Sequence, residues 1–118
     1  MAKIMIVDDS LFMRNRIANL LAKQGYETIV AEDGVAAVDA YRRDRPDAVL
    51  MDITMPQKDG LSALTEIRQF DPHAIVVILT ALNQKLAAAR AIHLGAKDFL
   101  VKPTPPSQLL TAVQKALG

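Results

Sequence analysis

The chain has 118 residues, close to the commonest single-domain size of about 100 to 150, and this predicts one domain over residues 1–118 built on one core. Its 14 basic and 13 acidic residues leave a net charge of +1, too balanced to favour nucleic acid or anionic lipid, so neither is an expected direct partner. Without cysteine there is no disulfide framework and no thiolate metal site; no secretory start is present and no apolar run nears the roughly 20 residues that span a bilayer, so the cytoplasm is the expected location.

The first apolar run, Ile4 to Val7, ends at Asp8 and Asp9. After it, Met13, Ile17, Leu20, Leu21 and Gln24 fall at steps of three and four, one stripe of a helix that stops at Gly25 and that Asp9 or Ser10 suits as a cap. The second run is Thr28 to Ala31. The third, Ala48 to Met51, ends at Asp52; the fourth, Ile75 to Leu79, ends at Thr80; the fifth, Phe99 to Val101, ends at Lys102. Gly34, Gly60 and Gly95 read as punctuation between strands and helices. Pro105 and Pro106 fit the start of a last helix whose stripe is Leu109, Leu110, Val113 and Leu117. Runs this continuous in apolar residues suit parallel strands covered on both faces. Five strand-helix units predict an open, doubly wound α/β sheet, because a closed eight-stranded barrel needs about 250 residues.

In such sheets ligands bind beyond the carboxyl ends of the strands, which gathers Asp8, Asp9, Asp52, Thr80 and Lys102 at one edge. Three carboxylates brought together repel and call for a cation, and hard oxygen donors with no His or Cys nearby point to Mg²⁺. A carboxylate can itself take up a phosphoryl group when the charge on that group is neutralised. Asp52 stands alone on the most central strand and is the candidate acceptor, while Asp8 and Asp9 suit gripping metal from one loop. Lys102 would supply a point charge to the phosphoryl oxygens and the Thr80 hydroxyl a hydrogen bond. His73 and His93 are isolated and expected at the surface.

Four motifs in this order carry a family resemblance: Val7-Asp8-Asp9-Ser10; Met51-Asp52-Ile53-Thr54-Met55-Pro56 with Asp59-Gly60; Leu79-Thr80-Ala81; and Gly95-Ala96-Lys97-Asp98-Phe99-Leu100-Val101-Lys102-Pro103. The sequence resembles the response-regulator receiver domain, in its stand-alone CheY-like form. The resemblance implies a flavodoxin-like (βα)5 three-layer sandwich with strand order 2-1-3-4-5. It implies that Asp52 receives a phosphoryl group from a sensor histidine kinase or phosphotransfer protein, with Asp9, Asp52 and the Thr54 carbonyl on Mg²⁺ and Asp8 acting through water. Thr80 and Phe99 would form a switch pair, and Thr54 and Leu82 would tune loss of the phosphoryl group. The Lys102-Pro103 bond would be cis. The output surface toward an effector protein would be the fourth helix, fifth strand and fifth helix, with Ala88, Ala89, Arg90, Ile92, Phe99 and Lys102. Thr104 departs from the Phe common at its place in the family.

The implied role is a phosphoacceptor switch in two-component signalling, in chemotaxis or motility, monomeric unless phosphorylation drives a dimer. The Leu11-Phe12-Met13-Arg14 run is similar to motility-associated members, and Ala112 replaces the arginine usual in winged-helix transcriptional relatives. One alternative is the amino-terminal receiver domain of a truncated transcriptional regulator. The enzyme alternative, an aspartate-nucleophile phosphatase, calls for a second Asp where Thr54 stands, so no turnover of phosphoesters is expected. A flavodoxin-like carrier needs a phosphate-cradling loop where Asp8 and Asp9 would repel phosphate.

Overall fold

The third and fourth apolar runs offer no polar face to water, and both become interior strands. In the computed structural model, which describes residues 1–53 and 60–118, β1 (Lys3–Val7), β2 (Glu27–Ala31), β3 (Ala48–Asp52), β4 (Val76–Thr80) and β5 (Asp98–Val101) form one sheet in the order β2-β1-β3-β4-β5. Every pairing is parallel, with Ile4 opposite Ala48 and Leu50 opposite Val77. The helices are α1 (Leu11–Lys23), α2 (Gly34–Asp44), α3 (Gly60–Phe70), α4 (Lys85–His93) and α5 (Pro106–Leu117), with a short 3-10 turn at Leu82–Gln84 before α4. The strand order is the one the resemblance implied, and the strands begin and end within a residue of the expected runs.

Because alternate strand residues point to opposite faces, the central strands split into two core layers. Met5, Val49, Met51, Val76 and Ile78 face α2, α3 and α4. Ile4, Ile6, Leu50, Val77 and Leu79 face α1 and α5. Every residue of β3 and β4 is buried. Coverage on both faces does not extend to the sheet's rims, where Val30 of β2 and Phe99 of β5 remain 50% and 38% exposed. Each rim strand has a neighbour on one side only, so its helices leave part of it open.

Ser10 caps α1, its hydroxyl accepting from the Met13 N–H. Ile17 and Leu21 are buried, whereas Gln24 is an exposed C-cap and no part of the buried stripe. Gly25 follows at φ +90, the left-handed geometry that ends the helix. Pro106 opens α5, and Leu109, Ala112, Val113 and Ala116 are its buried face. The Lys102-Pro103 bond is cis. No helix among the described residues is long and apolar enough to cross a membrane.

At the opposite rim of the sheet from the strand ends, the Tyr41 hydroxyl of α2 donates to Asp71 Oδ2 at 2.7 Å. Phe70 meets Tyr41 edge-on at 6.5 Å, and the Arg45 guanidinium lies 4.3 Å over its ring. Burial, and then the Asp71 carboxylate, push the Tyr41 hydroxyl above its ordinary pKa of 10.0. The unfolded chain therefore ionises first, and this contribution to stability, complete below pH 10, declines as pH rises beyond it. Tyr41→Phe is expected to lose about 1 kcal/mol in urea unfolding at neutral pH and to show a shallower alkaline decline than the parent chain. Equal stabilities and equal slopes would show that this bond contributes nothing.

Candidate functional site

Strand ends bring the polar residues together. Asp8, at the end of β1, and Asp52, the last residue of β3, are 1% and 3% exposed, and Thr80, the last of β4, is fully buried. Lys102 follows β5, and Asp9 lies exposed beside Asp8. The parallel register β1-β3-β4 accounts for this: Met51 is opposite Val7 and Asp52 opposite Leu79, so the chain leaves each strand at the same level.

Lys102 Nζ donates to Asp8 Oδ2 at 3.2 Å and to Asp52 Oδ2 at 3.1 Å, one ammonium bridging two buried carboxylates. Burial alone would lower the pKa of this ammonium, but the Asp52 and Asp8 carboxylates outweigh that and raise it above its ordinary 10.5. Lys102 is therefore charged at neutral pH. Asp8 Oδ1 accepts from the Ser10 N–H at 2.9 Å, and the Asp8 carbonyl accepts from Arg14 Nη1 at 2.7 Å. Both carboxylate oxygens of Asp8 are thus already engaged. One carboxylate oxygen from each of Asp8, Asp9 and Asp52 lies within 4.8 Å of the others. A single ammonium does not neutralise three carboxylates, and an all-oxygen donor set of this size fits a hard divalent cation.

The Thr80 hydroxyl lies 3.3 Å from the Ala81 carbonyl and 3.4 Å from the Gln84 carbonyl, so it is engaged with the turn that leads into α4. Phe99 pairs in register with Ile78 and is partly exposed. On α4 the structure corrects one expected surface residue: Ala88 is fully buried with Ala91, three positions on, because that helix face packs on the sheet. Ala89, Arg90 and Ile92 face outward, as does Leu86 at 89% exposure, which sequence reasoning did not single out. Thr54 lies outside the described residues, and so does the Leu82 side chain. His73 and His93 are exposed.

Two supporting residues escaped the sequence reading. Arg14 lies in the Leu11-Phe12-Met13-Arg14 run, but only the fold reveals its bond to the Asp8 carbonyl. Gly60 reads as punctuation in the sequence, yet an added Cβ there would stand 2.6 Å from both the Asp52 carbonyl oxygen and Ile53 Cα. The first residue of α3 rests directly on the backbone that carries Asp52.

Known proteins match this chain in sequence and in fold. The family described as "Response regulator receiver domain" matches residues 4–114. Over 117 residues the chain is 46% identical to the chemotaxis protein CheY of Bacillus subtilis, with 98% of each chain covered. A response regulator receiver domain protein from Clostridium thermocellum superposes with a TM-score of 0.95 at 30% identity, covering 99% of this chain and 94% of that one. The CheX-CheY-BeF3-Mg+2 complex from Borrelia burgdorferi matches with a TM-score of 0.93 at 33% identity, covering 99% and 90%.

Proposed function

The chain belongs to the response regulator receiver domain family, and on that premise we propose that it is a phosphorylation switch in which Asp52 takes a phosphoryl group from a sensor histidine kinase or phosphotransfer protein. The observation that carries this reading is the bridging of buried Asp8 and Asp52 by Lys102, with Asp9 close enough to complete an oxygen cluster. Asp9, Asp52 and the Thr54 carbonyl would hold Mg²⁺ directly and Asp8 through water, in keeping with the prior engagement of both Asp8 oxygens. When bound, the ion offsets charge on the transferring phosphoryl oxygens. The Borrelia burgdorferi relative's complex with BeF3 and Mg+2 supports this choice.

In the transfer, an Asp52 carboxylate oxygen attacks phosphorus while the donor's phosphorus–nitrogen bond breaks, and the departing imidazole keeps the electron pair and takes up a proton. Lys102 swings its ammonium from the carboxylate oxygens to a phosphoryl oxygen. Thr80 turns its hydroxyl from the Ala81 and Gln84 carbonyls to another, which frees the turn before α4 and lets Phe99 move inward. The altered face, with Ala89, Arg90, Ile92 and Phe99 exposed on it, binds an effector protein. The similarity to chemotaxis proteins over nearly the whole chain favours a motility pathway, a cytoplasmic location and a single receiver domain over residues 1–118. The chain acts as a phosphoacceptor, with no turnover of external substrate.

The test is incubation with Mg²⁺ and acetyl phosphate followed by intact-mass measurement: the parent chain gains one phosphoryl group and Asp52→Asn gains none. Labelling of Asp52→Asn at the parent rate overturns the assignment. A leucine side chain, as at Leu82, has no hydrogen-bonding atom with which to orient an attacking water. The phosphorylated protein is therefore expected to lose its label about tenfold more slowly than Leu82→Gln or Leu82→Glu, a hydrogen bond's worth; equal decay of all three in a radiolabel chase refutes this.

A further inference from the structure

The face between α1 and α5 holds a cavity of about 360 Å³, in the lower part of the range of small-molecule sites. One wall is α1, where Met13, Arg16, Ile17 and Leu20 recur at helical spacing. The facing wall is the start of α5 and the loop before it, with Pro103, Pro106 and Leu109, and Leu79 of the sheet closes it from below. These walls offer a ligand almost nothing polar. The prolines carry no N–H, the Thr104 hydroxyl donates to the Val101 carbonyl at 2.9 Å, and the Lys102 ammonium is held by Asp8 and Asp52. Among the described residues, Arg16 is the lining cation with no hydrogen-bond or ion-pair partner.

A neutral polar ligand would find its groups unanswered here, and a purely apolar one would leave Arg16 unused. An apolar body ending in one negative charge satisfies both walls. We propose that the cavity between α1 and α5 binds a free, medium-chain monocarboxylate, its chain among Met13, Ile17, Leu20 and Leu109 and its carboxylate on the Arg16 guanidinium. None of Asp8, Asp9 and Asp52 lines this cavity, which meets the acidic pocket only at Lys102, and it gives the switch a small-molecule input besides its phosphoryl group.

The experiment is titration of the full chain with hexanoate, heptanoate and octanoate below their aggregation concentrations, followed by methyl NMR. Saturable shifts are expected at Met13, Ile17, Leu20 and Leu109, with affinity rising about three- to fourfold per added methylene. Arg16→Gln, which alters an exposed residue, is expected to keep the parent Tm, to weaken octanoate about tenfold and to leave octanol unchanged. Scattered or non-saturating shifts overturn the proposal, as does equal octanoate affinity in Arg16→Gln. Shifts that appear only with phosphatidylglycerol vesicles also overturn it, because they assign the patch to a lipid surface.

Discussion

Lys102→Met is expected to slow acetyl phosphate labelling of Asp52 by on the order of a hundredfold or more while tightening Mg²⁺ binding. The two effects have one cause and opposite signs. In the parent chain the ammonium sits between Asp8 and Asp52 at 3.2 and 3.1 Å, where it competes with an incoming cation for the same oxygens. Removing it leaves the carboxylate cluster more negative, so a divalent ion binds more strongly. The same removal deprives the transferring phosphoryl group of a fixed positive charge, and loss of one such group typically costs a factor of about 10² to 10³. Stability falls as well, because two carboxylates that are 1% and 3% exposed lose their counter-ion. Breaking a buried pair costs about 3 to 5 kcal/mol, but the Lys102 side chain is 27% exposed, and solvent screening reduces the expected loss to about 1 to 3 kcal/mol. Because the folded ammonium is held above its ordinary 10.5, its contribution is complete below pH 10.5 and fades at higher pH, a fade the variant lacks. Calorimetric Mg²⁺ titration and intact-mass kinetics read the first two effects. Weaker ion binding in Lys102→Met, or unchanged labelling, contradicts the roles assigned to this lysine.

Gly60→Ala is the second large effect. A methyl group at this position meets the Asp52 carbonyl oxygen and Ile53 Cα at 2.6 Å, and the Ile53 Cγ2 at 2.9 Å. Backbone cannot rotate away as a side chain can, so either α3 lifts or the end of β3 shifts. Overpacking of this kind costs about 1 to 3 kcal/mol, and the Tm is expected to fall by on the order of 5 to 10 °C. A displacement of about 1 Å at a reacting group costs on the order of a hundredfold in rate, so labelling of Asp52 slows beyond what partial unfolding explains. Gly25→Ala is the control. Its φ of +90 makes alanine unfavourable by about 1 to 2 kcal/mol, but nothing lies within 4 Å of the new methyl, and labelling by the folded fraction is unchanged. Equal labelling rates in the two variants would remove Gly60 from the support of Asp52.

The interior of the sheet was legible because burial on both faces writes itself as uninterrupted apolar residues, as in Ala48 to Met51 and Val76 to Leu79. The rims were less legible: β2 and β5 have similar composition, but composition does not say how many neighbours a strand will have. The convergence of Asp8, Asp9 and Asp52 followed from the rule that parallel strands end together, and their close approach agrees with it. The resting position of Lys102 did not follow. Its bonds to Asp8 and Asp52 join residues 94 and 50 positions apart, and spacing along the chain does not say which acids a lysine will reach. Ala88 was misplaced because an alanine-rich helix, Ala87-Ala88-Ala89, carries no hydrophobic contrast to reveal which side faces inward. The Tyr41–Asp71 bond joins residues 30 apart in the chain, and nothing local announces it.

The bridging lysine and Asp8, the residue after β1, stand 94 positions apart. A chain emerging from the ribosome presents its acidic residues long before the ammonium that will bridge two of them has been translated. Until β5 docks beside β4, Asp8 and Asp52 are without that ammonium. A chain that stops short of β5 lacks that counter-charge, and its acidic residues carry the same uncompensated repulsion as in Lys102→Met.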